Sequence, residues 1–181
     1  NSVVGGLSTY FAAFNRNKKS VTLNLRTEKG KELLKRLVSW GDVVAENYRP
    51  GVMARLGFSY EDMCQVNPGI IMVSVSGFGQ TGPYAQRAAF NSIGEAMSGR
   101  SGVLRSADQP PSGGGAIADT AGGVFGAMGA ILALYHRKNT GEGQHVDSSL
   151  LDGTLFFMAS RFLRHGAGGE VAEGSAGGDG A

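Results

Sequence analysis

The chain holds 181 residues, 30 of them Gly, a share well over twice the roughly 7% of an average protein. With only 5 Pro and no Gly-X-Y period that excess excludes collagen, and 41% hydrophobic residues exclude full disorder. Seventeen Lys and Arg against 15 Asp and Glu leave a formal charge of +2, which suits a small anionic ligand and falls short of the clustered cations of a nucleic-acid track.

The glycine is unevenly placed. From Gly166 to Ala181 there are 7 Gly in 16 residues and almost no large apolar side chain, so residues 164–181 are expected to form a disordered tail that cannot offset its ordering entropy. The tail's acids, Glu170, Glu173 and Asp179, leave residues 1–164 at +5. One cationic cluster, Arg16, Lys18 and Lys19, reads as a solvated turn or as an anion contact. Cys64 is the only cysteine, which rules out an intrachain disulfide and fits a reducing compartment, the cytoplasm or the mitochondrial matrix. No apolar run approaches the length of a membrane span, so no membrane partner is expected.

In chain order, Val21–Leu25 alternates like a strand, and Thr27 caps a helix with Leu33, Leu34, Leu37, Val38 and Trp40 at helical spacing. A short strand follows at Asp42–Glu46. Pro50 opens a short helix through Leu56, and Ser59 caps another that stops before Asn67-Pro68. Ile70–Val75 is continuous and apolar, as expected for a parallel strand buried on both faces. Residues 76–88 form a Gly- and Pro-punctuated loop, Asn91–Ser98 a short helix, and Gly99–Gly115 a polar loop. The next helix, Asp119–Arg137, carries small residues at Gly122, Gly126, Gly129, Ala130 and Ala133, which suggests close backbone packing. A turn at Asn139–Gly143, a strand at His145–Ser149 and an apolar helix from Leu150 to Phe162 complete the pattern. The alternation predicts an α/β fold with a parallel sheet, binding ligands outside the carboxyl ends of its strands.

Directly after the strand ending at Val75 stands Gly77-Phe-Gly-Gln-Thr-Gly82, which has the spacing of a dinucleotide fingerprint. A nucleotide site also requires a helix opening at the third Gly and an acid at the end of the following strand. Here Pro83-Tyr84 follows and Asp108 lies in a loop, so the pattern does not qualify. His136, His145 and His165 have no metal-ligand spacing and read as surface or helix-end residues, and no metal site is expected. Asp119, between Ala116-Ile-Ala118 and the Gly-rich helix, reads both as an N-cap and as a carboxylate that the helix dipole keeps ionised. An ionised, desolvated carboxylate can act as a nucleophile.

Six segments in order, Asn15-Arg-Asn-Lys-Lys-Ser20, Glu46-Asn-Tyr-Arg-Pro-Gly51, Ser76–Tyr84, Ala96-Met-Ser-Gly99, Ala116-Ile-Ala-Asp119 and Thr140-Gly-Glu-Gly-Gln144, resemble the class III CoA-transferase family of the CaiB/BaiF type, which also includes α-methylacyl-CoA racemases. The resemblance implies a Rossmann-like large domain, incomplete here and spanning residues 1–163. It implies transfer of coenzyme A from an acyl-CoA to a small carboxylic acid, with Asp119 as the nucleophile that forms an acyl-aspartyl anhydride and then an aspartyl-CoA thioester. Coenzyme A is substrate in that chemistry, and no permanent cofactor is implied. Matching family positions assign CoA contacts to Leu23, Arg26, Asn47, Tyr48 and Arg55, and place Phe90 and Asn91 near the thioester. Arg26 stands where Lys is common, and Asn91 where many transferases carry Asp. The racemases place a proton-transferring His at the position of Phe90, and Phe cannot exchange a proton. That favours transferase over racemase. A noncatalytic CoA-binding module is the alternative from another class, and family members pair as interlocked homodimers.

Overall fold

The computed structural model describes residues 3–103 and 115–169. Asp108, Pro110-Pro111, Gly113 and residues 170–181 of the expected tail lie outside them. The chain divides into two compact units, Asn1–Leu34 and Lys35–Ala181.

The second unit is organised on a three-stranded parallel sheet. Strands β3 (Val43–Glu46), β4 (Ile71–Ser76) and β5 (His145–Ser149) lie in that order, with Val44 opposite Met72 and Val73 opposite Val146. β4 is central, and Ile71, Met72, Val73, Ser74 and Ser76 are all buried, so the continuous apolar run is covered on both faces as expected. Between β3 and β4 run two short helices, α3 (Val52–Leu56) and α4 (Tyr60–Val66). Ser59 caps α4 through a reciprocal box with Asp62, its hydroxyl accepting Asp62 N–H at 3.1 Å. α3 starts two residues after Pro50, because Gly51 adopts a left-handed conformation (φ +83°) at its N-cap.

Between β4 and β5 come α5 (Asn91–Met97), a one-turn α6 (Arg100–Val103) inside the region expected to be loop, and the long helix α7 (Ile117–Thr140). α7 lies along β4 and β5, where Ala133 joins Ile71 and Val73 in the core beside Val43, Val75, Ala130, Leu134 and Val146. Gly122, Gly126 and Gly129 of α7 face side chains of Leu150 and of the sheet, not another backbone. A Cβ at Gly126 would stand 3.2 Å from Val73 Cγ1, and one at Gly129 2.5 Å from Val146 Cγ1. α7 is also long and apolar enough to cross a membrane by length and composition, with a mean hydropathy of 1.6. The sequence reading expected no apolar run of that length; α7 reaches it through the Gly and Ala between its larger apolar residues. Its outer face leaves Val124, Met128, Ile131, Leu132 and Tyr135 exposed. α8 (Leu150–Gly166) follows β5, capped by Ser149, and extends four residues past Phe162.

In the first unit, a hairpin unforeseen in the sequence pairs β1 (Val3–Val4) with β2 (Leu7–Ser8) through Gly5-Gly6, both at positive φ, the conformation tight hairpin turns require. Ser8 then caps α1 (Thr9–Asn15). The cationic cluster follows α1 as an exposed segment, with Lys18 Nζ donating to Asn15 Oδ1 at 3.1 Å. The strand expected at Val21–Leu25 is absent. The Asn24 side chain accepts Arg26 N–H and its carbonyl accepts Thr27 N–H, each at 3.1 Å, so the chain turns and no ladder forms. Thr27 does cap the following helix α2 (Glu28–Trp40), accepting Gly30 N–H at 3.1 Å. The last turns of α2, from Lys35 on, belong to the second unit, where Val38 is buried and Leu37 and Trp40 are exposed.

Candidate active site

The carboxyl ends of all three parallel strands open onto one cleft of about 590 Å³. Asn47–Pro50 enters from the end of β3, Val75–Gly77 from β4, and Leu150 from the start of α8 after β5. The remaining wall is the loop from Ala85 to Phe90, and Asp119 stands at the edge of α7. This is where an open parallel sheet exposes strand ends that no further pairing consumes.

Each wall is held by identifiable bonds. Asn47 Nδ2 donates to Val75 O at 2.6 Å, tying the β3 exit to β4. Gly77 O accepts from Leu151 N at 3.1 Å, and Gly79 takes φ +82° so that Gln80 N–H reaches Asp147 Oδ2 at 2.8 Å. Ala89 packs so closely on Gly77 that no Cβ would fit there. No helix opens at Gly82, and residues 83–90 contain none, so the Gly-x-Gly-x-x-Gly stretch is a strand-exit loop. The Arg87 guanidinium lies 4.2 Å from the Tyr84 ring centroid, a cation–π contact that steadies it at the cleft wall.

Asp119 is not an N-cap. α7 begins two residues earlier at Ile117, preceded by Ala116, whose side chain can cap nothing. The acceptors for the first N–H groups come from α5. Asn91 Oδ1 accepts Ala118 N–H at 2.9 Å and Asp119 N–H at 3.2 Å, and Glu95 Oε1 accepts Ile117 N–H at 3.2 Å. Asn91 Nδ2 donates to Glu95 Oε1 and to Gly115 O, both at 3.0 Å. Behind them Arg100 Nη1 stands 3.5 Å from Glu95 Oε2, and neither atom has a hydrogen-bond partner.

This arrangement reverses an expectation. Desolvation first, and the nearby negative charge of Glu95 second, push the Asp119 carboxyl above its usual range. The helix terminus does not hold it down, because the N–H groups that would favour the anion already bond Asn91 and Glu95. The carboxylate stays accessible, exposed at the cleft edge.

Of the other positions singled out in the sequence, the cleft gathers Asn47, Tyr48 and Phe90, all exposed. Asn91 lies behind the cleft wall as the helix cap. Arg55 is exposed on α3 and does not line the cleft. Leu23, half-buried, and Arg26, exposed, belong to the first unit. Sequence reasoning missed Arg49 and Arg87, which line the cleft, and Glu95, which is wholly buried. A carboxylate one helical turn after Asn91, flanked by Gly94 and Ala96, was the available signal for Glu95. His145 is a strand residue, its Nε2 2.9 Å from Ser74 Oγ and its ring stacked on Tyr60. Among the described residues no group of three or more His, Cys, Asp or Glu could hold a metal ion.

Comparison with known proteins bears on this geometry. A family model described as CoA-transferase family III matches residues 2–180. The chain is 46% identical over 170 residues to an acetyl-CoA:oxalate CoA-transferase of Acetobacter aceti, covering 93% of this chain and 44% of that protein. It is 43% identical over 169 residues to a succinyl-CoA–D-citramalate CoA-transferase of Chloroflexus aurantiacus, covering 93% and 42%. Among solved structures, a CAIB/BAIF family protein from Brucella suis superimposes with a TM-score of 0.86 at 38% identity, covering 94% of this chain and 46% of that one. The chain thus spans less than half the length of these relatives. On sequence and fold together, it belongs to CoA-transferase family III.

Proposed function

We propose that this segment supplies the nucleophile and part of the CoA cleft of an enzyme that moves coenzyme A between an acyl-CoA donor and a small carboxylic acid. The observation that carries the reading is the exposed Asp119 carboxylate, raised in basicity, at the edge of a cleft that also presents Arg49 and Arg87. The more basic a carboxylate is, the better a nucleophile it makes once ionised, and the two guanidinium groups suit an anionic ligand.

An Asp119 oxygen attacks the thioester carbonyl of the donor, the C–S bond breaks, and CoA leaves as thiolate from an acyl-aspartyl anhydride. The thiolate then attacks the aspartyl carbonyl, releasing the donor acid as carboxylate and leaving an aspartyl-CoA thioester. An acceptor carboxylate displaces the thiolate to form a second anhydride. Return of the thiolate to the acceptor carbonyl yields acceptor-CoA and restores the Asp119 carboxylate. No proton transfer is required. Phe90 in the cleft wall offers no exchangeable proton, which weighs against racemisation.

A single thiol, Cys64, suits a reducing compartment, and the apolar outer face of α7 suits burial against the remainder of a longer protein or a second copy in a homodimer. The deciding experiment is incubation with acyl-CoA followed by peptide mass spectrometry. An acyl or CoA adduct on Asp119 is expected in the full-length enzyme, absent in Asp119→Ala with CoA binding retained. An adduct on any other residue overturns the assignment.

A further inference from the structure

α7 lacks a cap of its own, and the substitute is unusual. Ser, Thr, Asn or Asp in place of Ala116 could satisfy the first N–H groups locally. Instead the acceptors reach across from α5, and one of them is a carboxylate with 0% exposure. Burying a carboxylate is costly unless it is bonded or paired, and here Oε1 is hydrogen-bonded while Oε2 makes an ion pair with Arg100 Nη1 at 3.5 Å, without a hydrogen bond. The bonds form a chain. Glu95 Oε1 accepts from Asn91 Nδ2, whose second hydrogen goes to Gly115 O, and this fixes which way the amide faces. Asn91 Oδ1 is thereby aimed at Ala118 and Asp119.

We propose that Glu95 is a positioning residue for Asp119: its buried carboxylate orients Asn91 and binds Ile117 N–H, and through both it fixes the first turn of α7. The inference rests on Asp119 being the reacting group. Glu95 also places a negative charge near Asp119, consistent with the upward shift of that carboxyl. Among the described residues, the other charged groups around the site are Arg100 behind Glu95 and Arg49 and Arg87 in the cleft lining.

The test needs no substrate. In the 181-residue chain with ¹³C-labelled aspartate, NMR follows the Asp119 carboxyl through pH, and hydrogen exchange follows the amides of Ile117, Ala118 and Asp119. Glu95→Gln keeps an acceptor and removes the charge, so the Asp119 midpoint should fall by roughly half a unit or more, with the three amides near their original rates. Glu95→Ala removes both, so the same amides should exchange roughly tenfold faster or more. A purely structural role would leave the midpoint of the Gln variant unchanged, and that outcome overturns the proposal. So does unchanged exchange in the Ala variant. If Glu95→Ala fails to fold, the Gln titration decides alone. Were these shifts present while acyl-CoA labelled no residue, the transferase reading would fail, while the hold of Glu95 on the first turn of α7 would stand.

Discussion

The two ends of α7 are each tied to another element through a charged side chain, and they are tied in opposite ways. At the carboxyl end Arg137, in the last turn, donates to Asp42 Oδ1 at 2.7 Å and to Gly69 O at 3.0 Å, and Gly141 closes the helix in a left-handed cap. A cation there meets the negative end of the helix dipole, so charge, dipole and hydrogen bonds agree. At the amino end the acid expected to meet the positive pole receives none of the free N–H groups, which bond Asn91 and Glu95 instead. A second carboxylate is buried nearby, and two buried polar atoms go without hydrogen bonds. The carboxyl end ties the helix to the sheet, and the amino end, capped from another helix, carries the candidate site. Departures from local consistency of this kind concentrate where function requires them.

The contrast can be broken at the middle of the helix. Gly129→Val would drive a branched side chain into Val146 and should cost about 3 kcal/mol, measured by urea unfolding, with both ends disturbed together. At the structural end, Arg137→Ala should cost about 1–2 kcal/mol, chiefly from the bond to Gly69 O because Asp42 is largely exposed. Labelling of Asp119 by acyl-CoA in the full-length enzyme should then continue at an unchanged rate, and a large loss would show that the two ends are coupled. The smallest effect is expected from Asp119→Asn. A carboxyl whose folded pKa is raised is best accommodated when protonated, so its contribution is fully present below the ordinary value of 3.8 and is lost as pH rises through the folded pKa. The Asn variant should therefore be slightly more stable than the parent at pH 7, with the difference vanishing below the ordinary value. A stability gain of opposite sign would mean that the carboxylate is held ionised after all.

Much of the sheet was legible because its determinants are local. β4 announced itself by continuous apolar residues, α4 by Ser59, and β5 by a short run between two turn signals. Val21–Leu25 misled for the same reason: alternation was present, but a strand exists only if a neighbour pairs with it, and Asn24 turns the chain first. The glycines of α7 were recognised as packing residues, but they pack against side chains and not, as expected, against another backbone. Asp119 was singled out through its flanking residues and the family segments, while the helix alone suggested that its carboxyl is held down, and desolvation and Glu95 push it up instead.

The sequence by itself determined the parallel α/β pattern and the loop at Gly77–Gly82, since each is written in spacing along a few consecutive residues, and its six family-like segments pointed to the family and to Asp119 as the candidate nucleophile. Only the tertiary structure decided what surrounds that nucleophile. Asn91 bonds an amide 28 residues away, Glu95 one 22 residues away, and Arg49 and Arg87 reach the cleft from separate strand exits. A helix normally signals its cap in the residues just before it. When the cap comes from another helix, local spacing carries no trace of it, and the acid left uncapped takes its charge state from the neighbours that folding brings beside it.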